Sequence, residues 1–343
     1  MGFLKFVEKL NQVLDAICEA RCGGCEEPQD YKVPDMIEKM VIYYGWLNSF
    51  NSAVNGWDNE KVSQDLARYS VIVIGDGIQE PTHGDYANSQ SIINRIKVLN
   101  PPAKIFGYVT INQSYEDFKA KVDKWNTMGV HGIFLDEAGY DYGTAATNGR
   151  AAFNSKVDYV HSMTSSNICF ANAWKLDYVL GTEDNVSFPN STYNPDLLQS
   201  NLASFTDWVL LESFAITSTP AFEPGSQWKS RGEDAVAKKE AYNINIAAVS
   251  VIADNDTNGQ DKYNFLYTSA IMWDLNAVGA SDAYYGAGSA KCKWYDSPSA
   301  YPAPYYLSGK VESSGNKYFR YFVHGKFEVD FTFGSETSSI SIY

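Results

Sequence analysis

The chain has 343 residues, 45% of them hydrophobic and 20% charged, which supplies a full core and excludes a disordered polypeptide. Its 41 Asp and Glu outweigh 27 Lys and Arg to a net charge of −14, so a nucleic-acid backbone or an anionic membrane would be repelled and partners should be neutral or cationic. Aromatic residues reach 15%, with 24 Tyr, 18 Phe and 8 Trp, more rings than an ordinary core needs; flat amphipathic rings serve sugar-binding clefts as well as packing.

Phe3, Val7, Leu10, Leu14 and Ile17 fall at alternating spacings of four and three, which predicts a helix with one apolar seam. Such a seam serves either a self-associating bundle or a helix laid against a larger body. Lys5, Glu8, Lys9 and Asp15 interrupt it, so it lacks the unbroken apolar region of a secretory signal; no run in the chain reaches the roughly 18 apolar residues of a membrane span. Cys18, Cys22 and Cys25 approach zinc-ligand spacing, but no fourth Cys or His is near, so no metal is expected unless chains share one. With Cys169 and Cys292 they are too few for a disulfide scaffold. Gly23, Gly24, Pro28 and Pro34 mark a linker, and a boundary near Lys39 separates residues 1–38 from a body spanning 39–295.

From there apolar runs alternate with helical patterns. Strands are predicted at VIYYGW from Val41, VIVIGD from Val71, KIFGYVT from Lys104, GIFLDE from Gly132, ICFANA from Ile168, WVLLESF from Trp208, NIAAVSVI from Asn245 and AIMWDL from Ala270. Helical patterns occupy 86–99, 150–162, 232–241 and 260–269. Tyr115, Phe118, Val122, Trp125 and Met128 form another stripe, with Ser114 placed to cap it and Gly129 to end it. Runs that are apolar throughout suit strands covered on both faces, and eight such units over about 250 residues are the arithmetic of an α/β fold, the (β/α)8 TIM barrel. A doubly wound open sheet is the rival. Beyond Trp294, the Pro-rich SPSAYPAPYY leads into alternating strands around KYFRYFVHGKFEVDFTFG and SSISIY, with turns at His324-Gly325 and Gly334-Ser335. This reads as a small C-terminal antiparallel β appendage over 296–343.

A barrel's functional groups sit at the C-terminal ends of its strands. Those ends present Asp76, Asp136 with Glu137, Asn172, Glu212, and Trp273 with Asp274. A carboxylate closing an apolar run is costly to desolvate unless it is paired or used. Helix capping is the alternative role, and it suits Asp76 and Asp274 best, whereas glutamate caps poorly, so Glu137 and Glu212 favour function. Asp136, Glu137 and Glu212 could supply both the acid and the second carboxylate that glycosidic cleavage needs. Neighbours on a strand face opposite ways, so Asp136 and Glu137 share a cleft only if the strand has ended or bulged, which Gly139 permits. Tyr43, Trp46, Tyr108, Trp174 and Trp273 are expected to form stacking walls, with Asp76, Asn172 and Asp274 as polar substrate contacts.

No Walker loop, zincin or nucleophile-elbow motif occurs, and the glycines at 75 and 77 do not complete a dinucleotide fingerprint, so no cofactor is expected. The four histidines, His83, His131, His161 and His324, follow no strand end beside an evident nucleophile. Asp254, Asp256, Asn258 and Gly259 begin a calcium-loop pattern whose bidentate Glu position is Phe265, which favours a capping loop.

The stretch KIFGYVTINQSYEDFKAKVDKWNTMGVHGIFLDEAG, residues 104–139, resembles the spherulin-like family, glycoside hydrolase family 135, and more distantly the family 114 polygalactosaminidases. The resemblance implies a (β/α)8 barrel that cleaves α-1,4-linked galactosamine-containing exopolysaccharide, with an adjacent acidic pair at Asp136 and Glu137 and a later acid at Glu212. The segment GDGIQEPTHGDYAN departs from the family's turn after the second strand. The two terminal additions lie outside the resemblance and point to an extracellular, surface or virion-associated setting, with residues 3–25 as the place of homo-oligomer or larger-assembly contact. Two readings follow. One is a polysaccharide-cleaving hydrolase; the other is a structural or adhesive glycan-binding protein that keeps the barrel.

Overall fold

Val71–Ile74 (β2) is buried at every position, as a strand covered on both faces must be. In the computed structural model it pairs in parallel with Glu38–Tyr43 (β1) and Lys104–Thr110 (β3), and the series continues through Gly132–Asp136 (β4), Ile168–Asn172 (β5), Trp208–Leu211 (β6), Asn245–Val251 (β7) and Ala277–Ser281 (β8). β8 pairs with β1, closing a barrel in sequence order. The fold is a (β/α)8 TIM barrel. The structure describes residues 37–202, 206–217, 221–282, 292–298, 310–322, 325–332 and 336–342. The expected N-terminal seam, Cys18, Cys22, Cys25, His324 and the turn at 334–335 lie outside them.

The helices are Asn59–Leu66 (α1) after β1, Tyr86–Leu99 (α2) after β2, Tyr115–Met128 (α3) after β3, Arg150–His161 (α4) after β4, Gly225–Tyr242 (α5) after β6, and Gly259–Met272 (α6) after β7. α3 follows its sequence signals: Ser114 Oγ accepts from the Asp117 amide at 3.2 Å, and Gly129 leaves in the left-handed region at φ 79°. The connection from β5 to β6 contains only single helical turns among its described residues.

One element differs from the sequence expectation. AIMWDL is not the eighth strand but the last turn of α6 and the loop after it; the strand is AVGAS from Ala277. α6 packs against β8 on one side and the C-terminal sheet on the other, burying nine of its 14 residues, so its end carries no polar face to reveal a helical period. The strand itself is made of small residues with little apolar signal.

Along each barrel strand alternate residues point inward. Met40, Ile42, Val71, Val73, Phe106, Phe134, Phe170, Trp208 and Leu210 form the inner cluster, distinct from the larger core between strands and helices. The rings of Phe106 and Phe134 each stand 5.2 Å from that of Phe170, and Trp208 lies 6.0 Å beyond it. Part of the aromatic excess therefore fills the barrel.

The C-terminal strands Glu312–Ser314 (β9), Lys317–Phe322 (β10), Gly325–Asp330 (β11) and Thr337–Ile342 (β12) form an antiparallel sheet in the order β12-β11-β10-β9. It packs on α5 and α6. The buried Trp228 ring lies 5.1 Å from Tyr318, 5.2 Å from Phe331 and 5.1 Å from Trp273, and Arg320 Nη1 donates to the Met272 carbonyl at 2.7 Å. Trp228→Ala should cost about 3–5 kcal/mol in urea unfolding, because it empties the junction of helix and sheet. A loss below about 1 kcal/mol would show that the sheet does not share the barrel's packing.

Candidate active site

Continuing the inward period by one step past Phe134, Phe170 and Leu210 gives Asp136, Asn172 and Glu212. Three neighbouring strands thus present a polar rung directly above an apolar, ring-filled interior. Asn172 stands in the middle. Its Nδ2 donates to Asp136 Oδ1 at 2.8 Å and to Glu212 Oε2 at 3.4 Å. The Tyr108 hydroxyl donates to the other Asp136 oxygen, Oδ2, at 2.6 Å.

Glu137 reaches the same cleft by leaving the strand. β4 ends at Asp136, and Glu137 takes φ 55°, a left-handed conformation uncommon outside glycine, which cancels the alternation that would send its side chain to the outer face. Its Oε2 accepts from Thr110 Oγ1 at 2.8 Å. Asn148 Nδ2 holds the turn from behind, donating to the carbonyls of Glu137 at 2.6 Å and Gly139 at 2.9 Å. A similar turn follows β6, where Ser213 has φ 52° and Arg231 of α5 donates to its carbonyl at 2.9 Å and also to the Glu212 carbonyl.

The cleft has a volume of about 240 Å³, and Ile42, Tyr44, Tyr142, Leu210 and Val249 complete its lining around the three carboxylates and Asn172. Burial raises the pKa of Glu212, and the neighbouring Asp136 charge adds to the rise, against the lowering effect of the Asn172 hydrogen bond and of Arg231. Burial, followed by the charge and hydrogen bond of Asp136, pushes the Tyr108 hydroxyl well up and keeps it a donor. Tyr142 is pushed up to about 12, first by burial and then by Glu212 and the other acids, so it stays neutral at the cleft mouth.

Of the residues expected from sequence, Asp136, Glu137, Glu212, Asn172 and Tyr108 come together. Tyr108 meets them as a hydrogen-bond donor rather than a stacking wall. Trp46 and Trp174, 46% and 54% exposed, stand on loops at the same end of the barrel but outside the cleft lining. Trp46 leans edge-on toward His83, and the Arg231 guanidinium lies 5.8 Å from the Trp174 ring. Asp76 also lies at this end, in an ion pair with Lys121 at 2.7 Å and accepting from Gln79 at 2.8 Å.

Three expected positions are corrected. Tyr43 is 4% exposed and faces outward, with its ring against Phe50 and its hydroxyl 2.9 Å from Ser49 Oγ. Trp273 and Asp274 follow α6 and precede β8, so they do not close a strand at the cleft; the buried Trp273 ring packs on Trp228 in the helix layer and Asp274 pairs with Lys239 at 3.4 Å. Residues not anticipated are Tyr44, the inward neighbour of Tyr43, together with Thr110, Tyr142 and Asn148. For Tyr44 the period through Met40 and Ile42 was the available signal.

Among the described residues, His161, Cys169 and Asp207 form the one grouping with metal-ligand character. It lies at the opposite end of the barrel, and Asp207 already spans it, 2.8 Å from His161 Nε2 and accepting from the Cys169 amide at 2.7 Å. In the calcium-like loop, Asp256 accepts from the Asn258 amide at 2.8 Å and pairs with Lys262 at 2.6 Å, the arrangement of a turn leading into α6.

No family model matches the chain. No curated protein matches it. Among solved structures, Amy13B of Eubacterium rectale aligns with 88% of this chain and 87% of its own at 10% identity, TM-score 0.48. The endo-1,4-β-mannanase of Rhizomucor miehei aligns over 76% and 88% at 10% identity, TM-score 0.41. The malate synthase of Haloferax volcanii aligns over 73% and 71% at 11% identity, TM-score 0.43.

The raised Glu212 pKa carries a stability consequence. Between its unfolded and folded pKa values the folded state holds the proton more tightly, so the stability this group contributes is present at low pH and lost as pH rises through the folded value. Glu212→Gln should therefore raise Tm relative to wild type at pH 7–8 and leave it nearly unchanged near pH 4. An equal effect at both pH values would mean that burial of the charge is not what shifts this group.

Proposed function

We propose that the protein is a retaining glycoside hydrolase that acts on a galactosamine-containing polysaccharide, the activity implied by the resemblance of residues 104–139. The observation that carries this reading is the single Asn172 nitrogen shared by Asp136 and Glu212. Their nearest oxygens can be no farther apart than those two hydrogen bonds laid end to end. Such close neighbours suit the roughly 5 Å of retaining pairs better than the roughly 6.5–9.5 Å at which inverting pairs make room for a water.

Burial favours the protonated form of Glu212, which suits it to donate a proton to the leaving glycosidic oxygen as the anomeric C–O bond breaks. Asp136 accepts a hydrogen bond at each oxygen, from Tyr108 and from Asn172, which fix its orientation, and it is the group to attack the anomeric carbon. Glu212, now ionised, then takes a proton from the water that releases the sugar. Glu137, held by Thr110, faces the positive charge that develops on the ring. Three acids in one cleft on a chain of net charge −14 favour a partly deacetylated, cationic amino-sugar polymer, met in an extracellular or surface setting.

The test is release of reducing ends from a panel of amino-sugar and uronate polymers. Asp136→Asn, Glu137→Gln and Glu212→Gln should each lower kcat by about 10²–10⁴-fold in a folded protein. NMR of the first-formed product should show the anomeric configuration of the substrate. Binding without turnover by the wild type would instead support the adhesive reading, and preference for a uronate would overturn the substrate class.

A further inference from the structure

We propose that Lys156 is a positioning residue for Glu137: its charged ammonium ties together the two loops between which that carboxylate is held. The inference rests on the hydrolase reading for its catalytic consequence but not for its structural one. Lys156 lies in the middle of α4 and is buried. Its Nζ donates to three backbone carbonyls, those of Ile111, Gln113 at 3.1 Å and Thr147 at 2.9 Å. An ammonium has three protons, and all three are used.

The acceptors belong to the two segments that fix Glu137. Ile111 and Gln113 lie in the loop leaving β3, directly after Thr110, whose hydroxyl holds the Glu137 carboxylate. Gln113 also donates through Nε2 to the Thr110 carbonyl at 2.6 Å, and the Ile111 amide donates to the Asp136 carbonyl at 3.0 Å. Thr147 belongs to the helical turn Ala145–Asn148 in the loop leaving β4, next to Asn148, whose side chain holds the Glu137 carbonyl. Lys156 therefore joins the group that grips the carboxylate to the group that grips the backbone. That grip matters because a left-handed glutamate is held against its own preference.

The charge is essential to the tie. A neutral amine keeps two protons and turns a lone pair toward the third carbonyl, so deprotonation removes one bond and adds a repulsion. Around Lys156, α3 presents the Phe118 ring at 5.8 Å, and the two loops present carbonyls; no charged group of these elements acts on it, and burial alone brings its pKa down to about 8. The ammonium, and with it the full tie, therefore predominates below about pH 8 and gives way to the neutral amine as the pH rises through that value. Since burial penalises the charged form, this deprotonation does not cost global stability; its effect is local to the loops.

Two measurements test this. In the wild type, hydrogen exchange corrected for intrinsic rate should show amides of 111–113 and 145–149 losing protection between about pH 7 and pH 9.5, while those of β4 and β5 keep theirs. In turnover, Lys156→Met should lower kcat by about 100-fold with KM little changed, and the alkaline fall that the wild type shows near Lys156 deprotonation should be absent from the variant. Unchanged loop protection across that range, or a variant with wild-type kcat and the same alkaline fall, would overturn the proposal. If Lys156→Met does not fold, the exchange arm on the wild type decides. A wild type that cleaves no polymer would sink the hydrolase reading, and the exchange arm would still judge the tie.

Discussion

A closed parallel barrel imposes one constraint from which the site follows: every inward side chain belongs to a stacked rung, and the last rung meets solvent only from above. Here the rungs below are filled by the packed rings of Phe106, Phe134, Phe170 and Trp208. Glu212 is consequently desolvated from beneath while Asn172 and Asp136 crowd it from the side. The separation of the two acids is set by Asn172, because its amide nitrogen carries two protons and spends one on each. An aspartate in that position would fit the space and place a third acceptor where a donor is required.

The two acids that close their strands depend on a common backbone device. After β4 the left-handed residue is Glu137, and after β6 it is Ser213, each costing about 1–3 kcal/mol relative to an ordinary conformation. In both units the next helix sends a long cation back to the loop carbonyls, Lys156 from α4 and Arg231 from α5. Neither cation pairs with a cleft carboxylate side chain in doing so. Positive charge is thus present close behind the acids while their side-chain oxygens stay open to the cleft, with Arg231 only moderating the rise in the Glu212 pKa.

How far the site was legible from sequence depends on which physical signal each residue carries. Asp136, Asn172 and Glu212 stand out because a polar residue ends an otherwise apolar run, and an apolar run is the signature of a buried strand. The helix from Tyr115 was legible down to its caps because its stripe has one exposed face. Tyr43 and Tyr44 were not separable by composition; a shift of one residue exchanges the barrel interior for the helix layer, and only the period through Met40 and Ile42 resolves it. AIMWDL concealed a helix because the C-terminal sheet covers the face that would have been polar. Lys156 lies two residues from Asp158 in a helical stretch that reads as a solvated face, and its burial comes from two loops outside its own helix, one of them 45 residues away, which local pattern does not register.

The connection between β5 and β6 shows how the barrel is covered where the described residues hold only single helical turns. The loop after Asn172 would leave backbone carbonyls without partners, and a helix would ordinarily bond them internally. Arg150, buried at the start of α4, does this instead, donating to the carbonyls of Gly181 at 2.9 Å, Tyr178 at 3.3 Å and Leu198 at 3.3 Å. The apolar role of the missing helix passes to rings: Tyr140 lies 5.4 Å from Tyr178 and 5.1 Å from Tyr193, and Phe188 stands against both at 5.4 and 5.5 Å. A guanidinium that cannot be deprotonated within the working range and a cluster of interlocked rings hold this flank at any pH the fold tolerates. The opposite holds on the β3–β4 flank, where a lysine does the fastening, so the two sides of one cleft differ in their response to pH because they are fastened by different cations.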